Sequence, residues 1–347
     1  SAEVGGGNAV AAGPNQPLLL VDIFSQDPFF QDNYRKAEPL VRPVAGEERG
    51  LRIFVADQPA YALVQERLSA WQAGSPASRN LLKLISESLA TMQFFVSEKE
   101  LKPQPGLFLP MNILTDYPDL LIKPIVSYLA ALGGGIISAR VWQKLGYWSQ
   151  AGLLIHEALR DIQIQMQIEG LNPSSADQQD LAPVISDQEI QLITYQILLG
   201  EPTSSVALDK AESYSGFLKR LMATKKNNKE ILVSSCHKIK NSVSSPSCKV
   251  LENFLKTFCS RPDLTTDSLI SEIETAKSDI ASCSYKTKGD DGIDMVEQEL
   301  EMLRDIRFEG LWANLHQQTR AWQQMSIDSR NFQDPERILK LIHSQEQ

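Results

Sequence analysis

The chain has 347 residues, of which 42% are hydrophobic and 22% charged, a composition typical of globular proteins with one large core or two smaller ones. Its net charge of −9 argues against nucleic-acid binding, because an acidic surface repels the phosphate backbone. No run of about 18 consecutive apolar residues occurs, so the sequence predicts no membrane-spanning helix.

The N-terminal residues, SAEVGGGNAV, are small and rich in glycine, and they do not begin with Met. Such a start is typical of a chain after a signal peptide has been removed at a small-x-small site. Residues 1–16 show no apolar periodicity, so we predict a flexible lead-in there. The expected location is therefore the periplasm or the outside of the cell.

The next part of the chain alternates short extended runs with helices. Ser75 and Pro76 form a helix start, with serine as the N-cap and proline in the first turn. Strands are predicted at 17–24, 50–57, 92–98 and 105–112, and helices at 59–73 and from 76 onward.

Residues 120–200 are predicted to form a hairpin followed by two long helices. Gly133, Gly134 and Gly135 divide an apolar segment into two halves, as in a tight reversal of the chain. Ser149 is a candidate cap for a helix that extends to about Gly170. The helix at 186–200 opens with Ser-x-x-Glu, a capping box, and closes at Gly200.

After Gly200 strand-like runs become scarce, and Lys, Ser and Glu become more frequent. We predict an α+β fold whose N-terminal domain, residues 17–203, combines a small sheet with packed helices. A mostly helical domain is predicted for residues 204–347. Its helices are predicted at about 207–224, 228–241, 246–259, 265–282, 292–325 and 335–344.

Four cysteines lie in this C-terminal part, and their even number and clustering predict two disulfides in an oxidising compartment. They are Cys236, Cys248, Cys259 and Cys283. Cys248 and Cys259 lie at the ends of one predicted helix, roughly 16 Å apart, so they cannot bond to each other. The pairing is then 236–248 with 259–283, or 236–259 with 248–283. Zinc is less favoured, because C-x-x-C spacing is absent and only His237 lies nearby.

The sequence LLIHEALRDIQ, residues 153–163, contains the strongest candidate for chemistry. Zinc peptidases of the zincin class need two histidines one helical turn apart, with a glutamate after the first as general base. His156 and Glu157 fit this motif, but Arg160 occupies the position of the second histidine. A guanidinium has no lone pair for a metal, so we predict neither a metal nor another cofactor. Glu157 and Arg160 are i, i+3 neighbours that could form an ion pair.

A strand-like GGIISARVWQKLG followed by SQAGLLIHEALRDIQ resembles the edge strand and active helix of the zincin superfamily. The segment is also similar to functionally uncharacterised exported proteins of Gram-negative bacteria that share a QA-x-L-x-x-HE helix. A second helix follows in those proteins, and here it corresponds to residues 185–199. The resemblance covers about 80 residues. It implies a related, degenerate scaffold rather than the peptidase reaction.

These patterns favour an exported, non-catalytic protein that acts by binding another protein in the envelope or outside the cell. The alternative is a divergent hydrolase of envelope polymers or peptides, in which Glu157 is the general base. The exposure of His156 and Glu157 distinguishes the two hypotheses, because catalysis requires a cleft at this pair.

Overall fold

The computed structural model describes residues 7–32, 37–41, 52–71, 74–103, 109–129, 134–170, 184–203, 206–223 and 335–347. The described residues form an α+β fold with two small sheets and packed helices, as the sequence predicts for the N-terminal part. Contacts divide the chain into one unit of residues 1–219 with 327–347 and a second unit of residues 220–326. Apart from residues 220–223, the second unit lies outside the described residues.

Seven strands lie in the described part of the first unit. They are β1 (Asn8–Ala11), β2 (Leu19–Leu20), β3 (Arg52–Phe54), β4 (Gln93–Ser97), β5 (Leu121–Pro124), β6 (Val126–Leu129) and β7 (Gly134–Ser138). The helices are α1 (Val21–Phe24), α2 (Tyr61–Ala70), α3 (Pro76–Thr91), α4 (Met111–Asp116), α5 (Ala139–Trp142), α6 (Tyr147–Gly170), α7 (Asp187–Leu199), α8 (Val206–Asp209), α9 (215–223) and α10 (Pro335–Gln345). Short 3-10 helices occupy Val55–Asp57 and Lys210–Tyr214.

The first sheet has the strand order β2-β1-β5, with both pairs antiparallel. All four residues of β1 are buried, and this strand is the centre of the sheet. The predicted flexible lead-in is therefore wrong for residues 8–11. Their short side chains give no periodic pattern, so the local sequence does not indicate a buried strand. They are buried because β1 pairs with a strand on each side.

The second sheet has the order β3-β4-β7-β6. Strands β4 and β7 are parallel, whereas β3 with β4 and β6 with β7 are antiparallel. The predicted reversal near the triple glycine is confirmed as the β6–β7 hairpin, but Gly134 and Gly135 are paired residues of β7. A side chain at Gly135 would lie 2.6 Å from the carbonyl oxygen of Ser127, so the close approach of β6 requires glycine here.

Three predicted strands differ from the structure. In the segment 50–57, Arg52–Phe54 form β3, but Val55–Asp57 form a 3-10 helix. In the segment 17–24, residues Leu19–Leu20 form β2, but Val21–Phe24 turn into α1. In the segment 105–112, the part up to 108 lies outside the described residues, and a helix begins at Met111. Apolar runs of this length do not distinguish a buried strand from a short buried helix by periodicity alone.

Helix α6 begins at Tyr147, so the prediction that Ser149 is its N-cap is wrong. The carboxylate of Asp32 accepts hydrogen bonds from the backbone amides of Trp148 and Ser149, at 2.9 and 2.8 Å. The Ser149 hydroxyl instead accepts a hydrogen bond from the amide of Leu20. A residue 116 positions earlier therefore caps the helix, and helical spacing does not reveal such a distant partner.

The capping box predicted for α7 is confirmed. The Ser186 hydroxyl accepts a hydrogen bond from the Glu189 amide at 3.2 Å, and the Glu189 carboxylate accepts one from the Ser186 amide at 2.9 Å. These reciprocal bonds satisfy backbone donors that have no partner within the helix.

Replacing Ser186 with alanine should lower the free energy of unfolding by about 1 kcal/mol, because the amide of Glu189 loses its acceptor. Urea unfolding measured by fluorescence of Trp71 and Trp142, both buried in this unit, gives the difference. Ser186→Asp is the control and should retain most of the stability, since aspartate is also a good N-cap. Equal loss in both variants would contradict a capping role.

The C-terminal helix α10 is part of the first unit and packs against β4. Lys102 donates its amide to the Gln345 carbonyl, and Gln347 donates its amide to the Glu100 carbonyl. Ile342 joins an apolar cluster with Phe95, Leu101 and Ile136. The C-terminal residues thus lie in the same unit as β4, although the predicted boundary at 203/204 would place them in a separate domain. The remainder of that predicted domain, from 224 to 334, lies outside the described residues.

Among the described helices, none combines the length and apolar character needed to cross a membrane.

Candidate functional site

Helix α6 carries the three site residues that the sequence predicts, and it passes through the core of the first unit. Every residue from Ser149 to Arg160 is buried. The helix packs against β2 and the helices α1, α2, α3 and α7. A helix surrounded in this way has no solvent-facing side, so its polar residues must find partners inside the protein.

His156 is paired with Asp22 of α1, and both side chains are buried, at 2% and 0% exposure. Nδ1 of His156 lies 2.7 Å from Oδ2 of Asp22. A hydrogen bond to a carboxylate requires Nδ1 to carry the proton, which in a neutral imidazole leaves the lone pair on Nε2. Sequence analysis missed Asp22. The available signal was a single acidic residue within the apolar run PLLLVDIF.

Glu157 points toward the N-terminal segment. Its Oε1 accepts a hydrogen bond of 2.6 Å from the backbone amide of Gly7, the residue before β1. A side chain at Gly7 would lie 2.2 Å from Cδ1 of Leu153 and 3.2 Å from the Glu157 carboxylate, so Leu153 would have to move to admit one. The predicted flexible lead-in therefore did not include the backbone contact of Gly7 with Glu157.

Burial raises the pKa of the Glu157 carboxyl above its ordinary value. The charge of His156, the Gly7 amide and the charge of Arg160 act in the opposite direction but do not outweigh the loss of hydration, and the charge of Asp22 adds to the increase. Glu157 therefore retains its proton to a higher pH than an exposed glutamate. A neutral carboxyl at this position limits the net charge that the core must hold.

Arg160 pairs with Asp187 at the first turn of α7, and not with Glu157 as the i, i+3 spacing suggests. Its Nη1 also donates to Oε1 of Gln163 at 2.6 Å, and Nε2 of Gln163 donates to the Ile185 carbonyl at 2.7 Å. These bonds join α6 to the start of α7. Asp187 is further favoured by the positive end of the α7 dipole.

Five polar atoms of this cluster have no hydrogen-bond partner in the part of the protein that the structure describes. They are Oδ1 of Asp22, Nε2 of His156, Oε2 of Glu157, and Nε and Nη2 of Arg160. Such unsatisfied atoms in a native core call for a specific explanation.

A neighbouring hydrogen-bond network extends from Asp161 on the same helix. Its carboxylate accepts hydrogen bonds from Tyr128 at 2.6 Å and from Ser88 and Gln165 at 2.7 Å each. Tyr128 belongs to β6 and Ser88 to α3. This network connects α6 to the second sheet and to α3, so its role is structural.

In the part of the chain that the structure describes, α6 lacks the second metal ligand of a zincin helix. The Nδ1 contact of His156 with Asp22 is compatible with a metal on Nε2, but the guanidinium at position 160 has no lone pair and is bonded to Asp187. Within the described residues, no three His, Cys, Asp or Glu side chains are placed to hold a metal ion. The four cysteines lie outside the described residues, so both disulfide pairings stay predictions.

Comparisons with family models, with curated proteins and with solved structures gave no match for this chain.

Proposed function

We propose that this chain is an exported, non-catalytic protein that acts by binding another protein in the bacterial envelope or outside the cell. The observation that carries the proposal is the burial of His156 and Glu157, at 2% and 0% exposure. Their hydrogen bonds to Asp22 and Gly7 are used to join α6 to α1 and to the N-terminal segment. A substrate cannot reach either group without opening the core.

Export is supported by the cysteines. All four lie between residues 236 and 283, and an even, clustered set is typical of disulfides in oxidising compartments.

Binding is supported by the exposed apolar side chains. Met111 is 76% exposed and Phe29 is 84% exposed. Large apolar groups in contact with water are common singly, but a concentration of them marks interaction sites. Residues 111–122 contain four such side chains, at Met111, Leu114, Leu121 and Ile122.

The test is photo-crosslinking in the cells that naturally produce the protein. Benzoylphenylalanine is placed singly at Phe29, Leu114 and Ile122, and at the exposed polar position Gln65 as a control. We expect a discrete, light-dependent adduct with another protein from at least one apolar position and none from Gln65. Absence of adducts at all three apolar positions would contradict a binding function.

A hydrolase of envelope polymers or peptides is the alternative, and one observation favours it. The Asp22–His156 hydrogen bond leaves Nε2 of His156 without a protein partner in the described part, as in a general acid–base dyad. Purified wild type and Glu157→Gln should then be compared on peptidoglycan and on peptides. Turnover that disappears in the variant, with an unchanged melting temperature, would favour the enzyme.

A further inference from the structure

We propose that the outer edge of β5 is a docking site for an extended segment of a partner protein that carries alternating apolar residues and positive charge. The partner segment adds a strand to the first sheet beside Ile122. This inference rests on the proposed binding function, and it specifies the surface and the chemistry of the partner.

The apolar exposure is concentrated in the stretch of sequence that ends in this edge strand. Eight large apolar side chains are exposed in the described part of the protein, and four of them lie between residues 111 and 122. Leu121 and Ile122 are consecutive residues of β5, at 39% and 41% exposure. Consecutive residues of a strand point to opposite faces, so each face of the sheet carries one partly exposed apolar side chain at this edge.

Strand β5 is the last strand of its sheet. It pairs with β1 on one side, and no strand in the described ranges pairs with its other side. Pro124 within β5 agrees with an edge position, because proline lacks an amide for a second ladder. An edge strand presents unpaired backbone groups that accept a further strand.

The register identifies which backbone groups face outward. Ile125 donates its amide to Gly7 on the β1 side, and antiparallel ladders alternate in hydrogen bonding from one residue to the next. Residues 123 and 121 therefore also bond toward β1, whereas Pro124 and Ile122 do not. The amide and carbonyl of Ile122, opposite Val10, point away from β1 and offer one donor and one acceptor to a new strand.

Charge favours a basic partner over a second copy of this chain. Asp116 and Asp119 are exposed and directly precede β5, and the chain carries a net charge of −9. The one lysine of β5, Lys123, is already paired with Glu100 at 2.6 Å. Two copies meeting at this edge would bring like charges together, whereas a basic segment would be attracted.

The test uses phage-displayed random dodecapeptides selected on the full-length protein. We expect enriched peptides with apolar residues at alternate positions and a net positive charge. Ile122→Pro removes the outward amide without removing a bond to β1, and edge strands tolerate proline at such positions. Binding of the enriched peptides should fall about tenfold or more in this variant, because one backbone hydrogen bond is lost and the ring obstructs pairing.

Ile122→Ala is the matched variant, since it keeps the amide and removes the side chain. We expect a smaller loss, about threefold. If Ile122→Pro changes the melting temperature by more than a few degrees, the double variant Leu121→Lys/Ile122→Lys replaces it. Lysine at an edge opposes strand addition, so binding should again be lost.

Several results would overturn the inference. Peptides without alternation, or binding that Ile122→Pro leaves unchanged, would place recognition elsewhere. A photo-adduct from Phe29 but none from Ile122 would support the binding function and place the interaction surface near Phe29 instead of at β5. An adduct of the chain with itself at Ile122 would identify a second copy as the occupant.

Discussion

Replacement of His156 by leucine should lower the free energy of unfolding by about 3–5 kcal/mol. Among the described residues, His156 is the one hydrogen-bond partner of the Asp22 carboxylate, which is 0% exposed, and the substitution removes it. A buried carboxylate without a partner must either stay charged without the water that would hydrate it, or take up a proton. Both states cost free energy at neutral pH. Urea unfolding at pH 7, measured by tryptophan fluorescence, gives the difference.

A double-mutant cycle separates this effect from loss of packing. Asp22→Leu alone should also be strongly destabilising, whereas Asp22→Leu/His156→Leu should cost clearly less than the sum of the two single changes. The reason is that the double variant leaves no polar group buried without its partner, so apolar packing replaces the pair. Costs that simply add would contradict a coupled pair.

The chain provides its own control for this experiment. His343 forms a similar contact with Glu346, with Nδ1 2.9 Å from the carboxylate, but the histidine side chain is 66% exposed. His343→Leu should change the stability by less than about 1 kcal/mol, because the histidine is largely in water and Glu346 keeps Ser97 and Lys99 as partners. The chemical change is the same in both variants, so the difference between their losses in the free energy of unfolding reports the effect of burial.

The parts of the fold that the sequence predicts correctly are those fixed by local interactions. Helix α3 begins at Pro76 because the Ser75 hydroxyl accepts from the amide of Ser78, only three residues away. The capping box of α7 is equally local. Strand β4 lies within a run rich in phenylalanine and valine, the residue types that favour extended structure.

The parts that sequence analysis missed depend on partners far along the chain. Strand β1 is buried by pairing with β5, more than 100 residues later. The partners of His156 and Glu157 are 134 and 150 residues away. For Arg160, the nearest acid at helical spacing was Glu157, but the guanidinium bonds to Asp187, which lies 27 residues later in the sequence. Composition and periodicity carry no information about which distant residues meet.

The protonation of Glu157 gives the second large effect, and its sign follows from the pKa. Because burial raises the pKa of Glu157 in the folded protein, the folded state holds a proton that the unfolded state has already released. The contribution of Glu157 to stability is complete below the unfolded pKa of about 4.3 and is lost as the pH rises through the folded pKa. In that window the wild type loses about 1.4 kcal/mol per pH unit from this group.

Glu157→Gln should remove this dependence, because a glutamine amide resembles the neutral carboxyl and its oxygen can still accept from Gly7. The variant and the wild type should have similar stability near pH 4.5, and the variant should become the more stable one as the pH rises toward 8. Urea unfolding at intervals of half a pH unit gives the difference curve, in which other titrating groups cancel.

Glu189→Gln should give a difference curve of the opposite sign. Partial burial raises the pKa of Glu189, but hydrogen bonds from Tyr214 and Ser186 outweigh it and the pKa is lowered. This glutamate stabilises the protein above its unfolded pKa, and the contribution is lost as the pH falls through the folded pKa. The variant should therefore be less stable than the wild type at neutral pH and approach it in acid.

The same curve for Glu157 distinguishes the two proposed functions. A general base must be an ionised carboxylate near its working pH. A difference that still grows at pH 8 would mean that Glu157 keeps its proton throughout the pH range in which a general base works, as a buried structural carboxyl does. A difference that becomes constant below neutral pH would mean that Glu157 is ionised in the folded protein at neutral pH, which is the state that the hydrolase requires and would favour it over a binding protein.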